Sequence, residues 1–394
     1  MMGRAGVTAA EGFVASGVAC GLKASGRKDL AIVAAKQTCA AAGLFTGNSA
    51  AAAPVLLCRR HLGRGVARVV VVNSGCANCA TGARGMADAE ETARLAARLA
   101  GCAPEEVLPC STGVIGTRLD MKKLSAGVEG AWGKLSVEGG ADAAEAIMTT
   151  DTVPKIAVRH FEANGATFTV GGMAKGSGMI RPGLATMIAV VTTDAGVHSA
   201  VLREALQEAA AVSFNRLTID GCESTNDSLL ALASGEAGPL SGKGDDLFLD
   251  ALSQVCTELA KKMAADGEGA RRLVVVRVTG APDAATAGCA ARAVAESALV
   301  KCAVYGGDPN WGRIVAAAGS AVSLDLSRAR VTMGGVTLLA CGEPVIGVRE
   351  QAARALAAGT VEIELDMGCG DGQAEFFTCD LTEDYVKINA HYHT

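Results

Sequence analysis

Residues 171–194 restrict the fold more tightly than any other stretch. They read Gly-Gly-Met-Ala-Lys175-Gly-Ser-Gly-Met-Ile-Arg-Pro-Gly-Leu-Ala185-Thr186-Met-Ile-Ala-Val-Val-Thr-Thr-Asp194. Met187–Val191 is a continuous apolar run, the pattern of a buried strand. Such a strand needs a sheet with cover over it. The approach to it is conformationally loose: Gly176, Gly178 and Gly183 allow φ values that other residues avoid. Pro182 fixes one φ nearby, and Ala185 puts little bulk beside the next peptide bond. This layout suits a chain that cuts itself before Thr186 and then uses the freed threonine as a nucleophile.

A threonine hydroxyl is a weak nucleophile without a base beside it. At a chain terminus the α-amino group, with a pKa near 8, can be that base. To reach that state Thr186 must attack the carbonyl of Ala185, which needs a displaced backbone and a site for the oxyanion. The plain alternative is a threonine in a strand after an ordinary glycine turn.

The 394 residues suggest two domains or one large α/β body. Hydrophobic residues make up 50% and aromatics only 3%, so Ala, Val, Leu and Ile must build the core. Net charge is −5, and no lysine–arginine stripe interleaves with aromatics. That argues against nucleic-acid binding. The apolar runs are strand-sized, which argues against a membrane span, and Glu11 interrupts any signal-peptide core. The 14 cysteines are scattered, as in a cytoplasmic protein with reduced thiols. Cys76 and Cys79 form the only Cys-x-x-Cys, without a second pair to complete a zinc site. We therefore expect no metal. Gly242-Lys243-Gly244 is not a P-loop, and a Gly-x-Gly-x-x-Gly fingerprint is missing.

Periodicity outlines the elements. Val66–Val72 reads as a strand ending in a turn at 73–75. Residues 86–100, 118–136 (weakly), 199–212 and 245–265 read as helices, the last with Phe248, Leu252, Val255, Leu259 and Met263 on one face. Gly139-Gly140 reads as the start of a loop, 230–233 as a short strand, and 235–245 as a linker or excursion. The run from 273 reads strand, helix (282–298), strand (300–305), a β-α-β order. The fold class this suggests is α/β, with layered sheets covered by helices.

Several blocks share a source. "TTDTVPK" (149–155), "GGMAKGSGMIRPGLATM" (171–187), "SFNRLTIDG" (213–221), "STND" (224–227), "DGEGA" (266–270), "YGGDPNWGRI" (305–314) and "INAHYHT" (388–394) resemble the glutamate N-acetyltransferase (ornithine acetyltransferase) family of arginine biosynthesis. "NSGCAN" (73–78) and "STGVIG" (111–116) match upstream. The likeness is collinear from about residue 6 to the end. It departs at Arg181-Pro-Gly183-Leu184, where the family commonly has Ala-Pro-Asn-Met, and at Arg271-Arg272 and Cys222-Glu223.

The resemblance implies the fold of the self-processing aminopeptidases, with a smaller C-terminal domain from about residue 240. It implies cleavage between Ala185 and Thr186 into an α chain (1–185) and a β chain (186–394), assembled as an α2β2 heterotetramer. Thr186 would be the nucleophile and Thr112 and Gly113 the oxyanion hole. Thr152, Lys175, Thr186, Glu268, Asn389 and Thr394 would bind substrate. Acetyl would pass from N2-acetylornithine to Thr186 and on to glutamate, in ping-pong order. Acetyl-CoA serves some members as co-substrate, and no cofactor is implied. A self-processed amidase or aminopeptidase on the same scaffold is the alternative.

Chemistry alone reads these positions more blandly. Lys175 could hold a substrate carboxylate or be a solvated loop lysine. Thr112-Gly113 could aim N–H groups at a reacting carbonyl or form a strand-to-helix turn. Glu268 could bind an amine, yet Asp266-Gly267 is also a helix stop. Asn215, Arg216 and Asp220 read as a polar network near the site or as a structural pair. Asp308–Arg313 reads as a structural turn or as part of an acceptor pocket. Tyr385, Ile388 and Tyr392 give the tail apolar anchors, although termini usually fray.

Overall fold

The computed structural model describes residues 3–183, 187–240 and 242–391. Ala185, Thr186, Tyr392, His393 and Thr394 lie outside the described residues. The chain divides into two compact units. The first holds residues 1–215 and 222–259, and the second holds 216–221 and 260–392.

The first unit contains β1 (Phe13–Val18), β2 (Leu30–Phe45), α1 (Ala53–His61), β3 (Val66–Cys76), α2 (Gly82–Ala100) and β4 (Val107–Val114). There follow α3 (Met121–Trp132), α4 (Gly140–Ala146), β5 (Lys155–Ala163), β6 (Ala166–Lys175), β7 (Ile188–Gly196), α5 (Ser199–Val212) and β8 (Ser228–Pro239). Helix α6 (Lys243–Ala265) belongs to this unit through residue 259. The eight strands form one sheet in the order β4-β3-β2-β8-β7-β6-β5, with β1 paired to β2.

Strand β2 shows how the sheet is covered. Ala31 and Val33 pack into one core with Val70, Val72, Val190 and Leu230. Leu30 and Ile32 pack into the other with Val69, Val71 and the inner faces of α2 and α3. A strand with both faces buried reads as a continuous apolar run rather than an alternating one. Helix α6 lays Val255 and Leu259 over Gly172 of β6, where an added Cβ would come within 3.2 Å of both.

The second unit contains β9 (Leu273–Ala281), α7 (Ala284–Glu296), α8 (Ala298–Tyr305), α9 (Trp311–Ala321), β10 (Arg330–Met333), β11 (Val336–Ala340) and β12 (Glu343–Pro344). Then come α10 (Arg349–Ala355), β13 (Thr360–Asp366), β14 (Gly372–Cys379) and α11 (Glu383–His391). Its six-stranded sheet runs β12-β11-β10-β13-β9-β14. Its core is mostly Val and Ala, filled out by Leu, Ile and Met, with Phe376 its one aromatic member.

Three expectations need correction. Residues 300–305 are helical: Ser297 caps α8 by accepting the Val300 N–H, and Val300, Ala303 and Val304 share a buried face. Gly139 and Gly140 do not make a loop; α4 begins at Gly140. Their missing side chains serve close packing, since a Cβ would come within 1.8 Å of the Ala15 carbonyl oxygen or 2.0 Å of that of Ala5. Residues 235–239 are no linker either. They extend β8, with Gly238 and Pro239 opposite Ala195 and Gly196 of β7.

Candidate active site

Strands β3 and β4 run parallel, with Gly75 opposite Gly113. Thr112 and Gly113 therefore lie in a strand end, not in the strand-to-helix turn their sequence also allowed. Gly113 has φ +128°, and a Cβ there would sit 2.4 Å from the Gly75 carbonyl carbon. Only glycine fits such a bend under a neighbouring backbone. Side-chain amides tie the two strand ends together. Ser111 Oγ donates to Asn73 Oδ1 at 2.6 Å, and Asn73 Nδ2 donates to the Cys76 carbonyl at 2.8 Å. Asn226 Nδ2 bridges the carbonyls of Ala77 and Ser111 at 2.7 and 2.8 Å.

Lys175 closes β6 and pairs in register with Ile188 of β7, two residues beyond position 186. It is no solvated loop lysine: only 2% of it is exposed. Its Nζ donates to Thr112 Oγ1 at 3.2 Å. Below it lies Asp151, also 2% exposed. Asp151 Oδ1 accepts from Lys155 Nζ at 2.5 Å and from the Gly176 N–H at 2.7 Å, and Oδ2 accepts the Thr149 N–H at 2.9 Å. Burial alone would raise this carboxyl. The charges of Lys175 and Lys155 and those hydrogen bonds outweigh it and hold the group well below the usual carboxylate range.

Two further ionisable groups stand by. Lys23 is half-buried, with its Cγ 3.2 Å from the place a Gly75 Cβ would take. Burial, with Arg27 and Lys175 nearby, pushes its ammonium down to about 8. Asp227 is fully buried before β8, and its Oδ1 accepts the Met187 N–H at 2.8 Å.

The structure thus brings together Thr112, Gly113 and Lys175 of the expected residues, with Met187 in reach of Asp227. Thr152 has an exposed side chain just beyond Asp151. Glu268 and Asn389 belong to the second unit, where Asn389 Nδ2 donates to Glu268 Oε2 at 2.8 Å. Asn389 sits in helix α11 rather than in a frayed tail. In the same unit Tyr385 donates to Asp220 at 3.3 Å. Asn310 caps α9 through the Arg313 N–H, and Arg313 donates to the Leu299 carbonyl at 2.7 Å, so that turn has a structural role. Sequence reasoning passed over Asp151, Lys155, Asn226 and Asp227 as individuals, although all four stand in the blocks "TTDTVPK" and "STND". The pointer available was their type: charged and amide side chains beside apolar strands.

Among the described residues no helix is long and apolar enough to cross a membrane. Cys76 and Cys79 are buried free thiols.

Comparison with known proteins places the chain among the acyltransferases. The arginine biosynthesis bifunctional protein ArgJ of Symbiobacterium thermophilum is 51% identical over 396 residues, covering 99% of this chain and 98% of the relative. The protein of the same name from Synechocystis sp. is 45% identical over 403 residues, covering 98% of each. A crystal structure of ArgJ from Bacillus halodurans, 40% identical, covers 52% of this chain and 98% of that chain with a TM-score of 0.50. The ArgJ family model matches residues 14–394, and the chain belongs to the ArgJ family, acetyltransferases of arginine biosynthesis.

Proposed function

We propose that the chain moves acetyl from N2-acetyl-L-ornithine to L-glutamate through an acetyl-Thr186 intermediate, after cutting itself between Ala185 and Thr186. The observation that carries this reading is the contact of Lys175 Nζ with Thr112 Oγ1 at 3.2 Å. The lysine supplies the hydrogen bond that the threonine oxygen accepts. The Thr112 hydroxyl proton is then left to donate elsewhere, as an oxyanion hole requires, beside the Gly113 backbone.

In this mechanism the freed α-amine of Thr186 takes the Oγ1 proton as Oγ1 attacks the acetyl carbonyl. Thr112 and Gly113 hold the oxyanion. The ammonium returns the proton to the departing ornithine nitrogen. Glutamate then attacks acetyl-Thr186 by the same path in reverse. Lys175 offers a buried cation for a substrate carboxylate. Roles for Thr152, Glu268, Asn389 and Thr394 in substrate binding rest on the family resemblance. So do acetyl-CoA as a second acetyl donor, the α2β2 assembly and a cytoplasmic location.

The test is intact mass of the purified protein beside Thr186→Ala, followed by turnover of N-acetylornithine with and without glutamate. Two chains in the wild type, one in the variant and glutamate-dependent release of ornithine are the expected result. A single uncut wild-type chain would overturn the mechanism. Acetate release at full rate without glutamate would replace transfer by an amidase.

A further inference from the structure

Asp227 is the one carboxyl in the first unit that is fully buried and, among the described residues, only half satisfied. Oδ1 accepts the Met187 N–H at 2.8 Å. Oδ2 has no hydrogen-bond partner. Thr46 stands close, but its hydroxyl donates to the Ser224 carbonyl at 2.6 Å. A buried carboxyl oxygen left without a partner is costly, so its persistence asks for a use.

Covalent structure identifies that use. The N–H that Asp227 grips is the amide joining residues 186 and 187. The opposite side of Met187 is held as well, since its carbonyl accepts the Ser228 N–H at 3.0 Å. The main-chain nitrogen of residue 186 is three bonds from the Met187 nitrogen, hence under roughly 4 Å away. A carboxyl anchored on one of these nitrogens is tied through the backbone to the residue that carries the other.

We propose that Asp227 is a positioning residue for the terminal amine of Thr186: Oδ1 keeps the Met187 amide, and Oδ2 accepts a hydrogen bond from the amine once the Ala185–Thr186 bond is cut. The inference rests on the Thr186 reading above. In the uncut chain no amine is present, and burial raises the carboxyl's pKa well above the usual range, which favours its protonated form. Glu223 reinforces this, while the Met187 N–H and Lys175 oppose it. Cleavage supplies the missing cation. The carboxyl proton passes to the amine, giving carboxylate and ammonium. One proton then leaves to solvent to give the working base. During acylation the Oγ1 proton moves to the amine, and the carboxylate faces the ammonium that forms. The arrangement repeats the logic by which an aspartate orients a catalytic base and stabilises its charged form.

Asp227→Asn tests this, because its amide oxygen still accepts the Met187 N–H. We expect two chains by intact mass but at least a tenfold lower kcat/KM with N-acetylornithine and glutamate. The acid limb of the pH profile should move down by about one unit, since removing a nearby negative charge lowers the pKa of an amine. A wild-type rate, or a lower rate with an unmoved limb, would overturn the assignment. An uncut wild-type chain would instead sink the Thr186 reading itself. If Asp227→Asn does not fold or cut, infrared spectra of ¹³C-aspartate-labelled protein decide. A carboxylic-acid band present in uncut Thr186→Ala and absent from the cut wild type supports the proposal. The same band in both overturns it.

Discussion

Replacing Asp151 by asparagine removes the carboxylate that accepts from buried Lys155 and whose charge faces buried Lys175. Lys155 is 0% exposed, and its Nζ lies 2.5 Å from Asp151 Oδ1. At an effective dielectric near 20, that separation corresponds to about 6–7 kcal/mol of gross attraction. Most of it offsets the desolvation of two ions, so the pair itself adds little net stability. Breaking it is a different matter. Asp151→Asn leaves Lys155 and Lys175 buried against a neutral amide, a situation that typically costs about 3–5 kcal/mol. At roughly 2–4 °C per kcal/mol for units of this size, Tm should fall by about 6–20 °C. The folded pKa of Asp151 lies below its unfolded value near 3.9. Its contribution is therefore complete above about pH 4 and is lost as pH falls through the folded value. Urea unfolding of wild type and variant at pH 7 and near pH 3 should show a wide gap that narrows in acid. A difference under about 1 kcal/mol at pH 7, or a gap that does not shrink at pH 3, would refute this account.

Other positions make sharper, smaller tests. Gly113→Ala forces a Cβ against Gly75 and should lower kcat by about 10²–10³, the scale of losing an oxyanion donor, with a soluble product. Lys175→Met should leave a folded chain with kcat/KM reduced at least tenfold, read with N-acetylornithine and glutamate. Deleting 389–394 removes the Asn389 partner of Glu268; self-cleavage should persist by intact mass while KM for glutamate rises severalfold. In the second unit, Asp380 accepts the N–H groups of Arg271 and Arg272 at 2.8 and 3.0 Å. Asp380→Ala leaves both partly buried donors without this partner and should cost about 1–3 kcal/mol by urea unfolding.

Period and apolar content alone determined several elements. The helix expected at 199–212 has those bounds, because Leu202, Leu206 and Ala209 recur at helical spacing toward a single core. The strand begun at Val66 was legible because both its faces are buried, although it runs on to Cys76. The short apolar run 300–305 could not be typed by period, since a buried helix turn and a buried strand look alike over six residues. Ser297, acting as a cap, decides it. Glycine was ambiguous for a similar reason: at 139 and 140 it permits close approach to the carbonyls of Ala5 and Ala15, contacts more than 120 residues away along the chain. The candidate site divides in the same way. Thr112, Gly113 and Lys175 were named from their blocks, because a motif preserves residue type and order. That Lys175 Nζ meets Thr112 Oγ1, that Asp151 serves two lysines and that Asp227 holds the amide after residue 186 are pairings across the sheet. Burial and charge there depend on which strands lie side by side, and only the tertiary structure decides that.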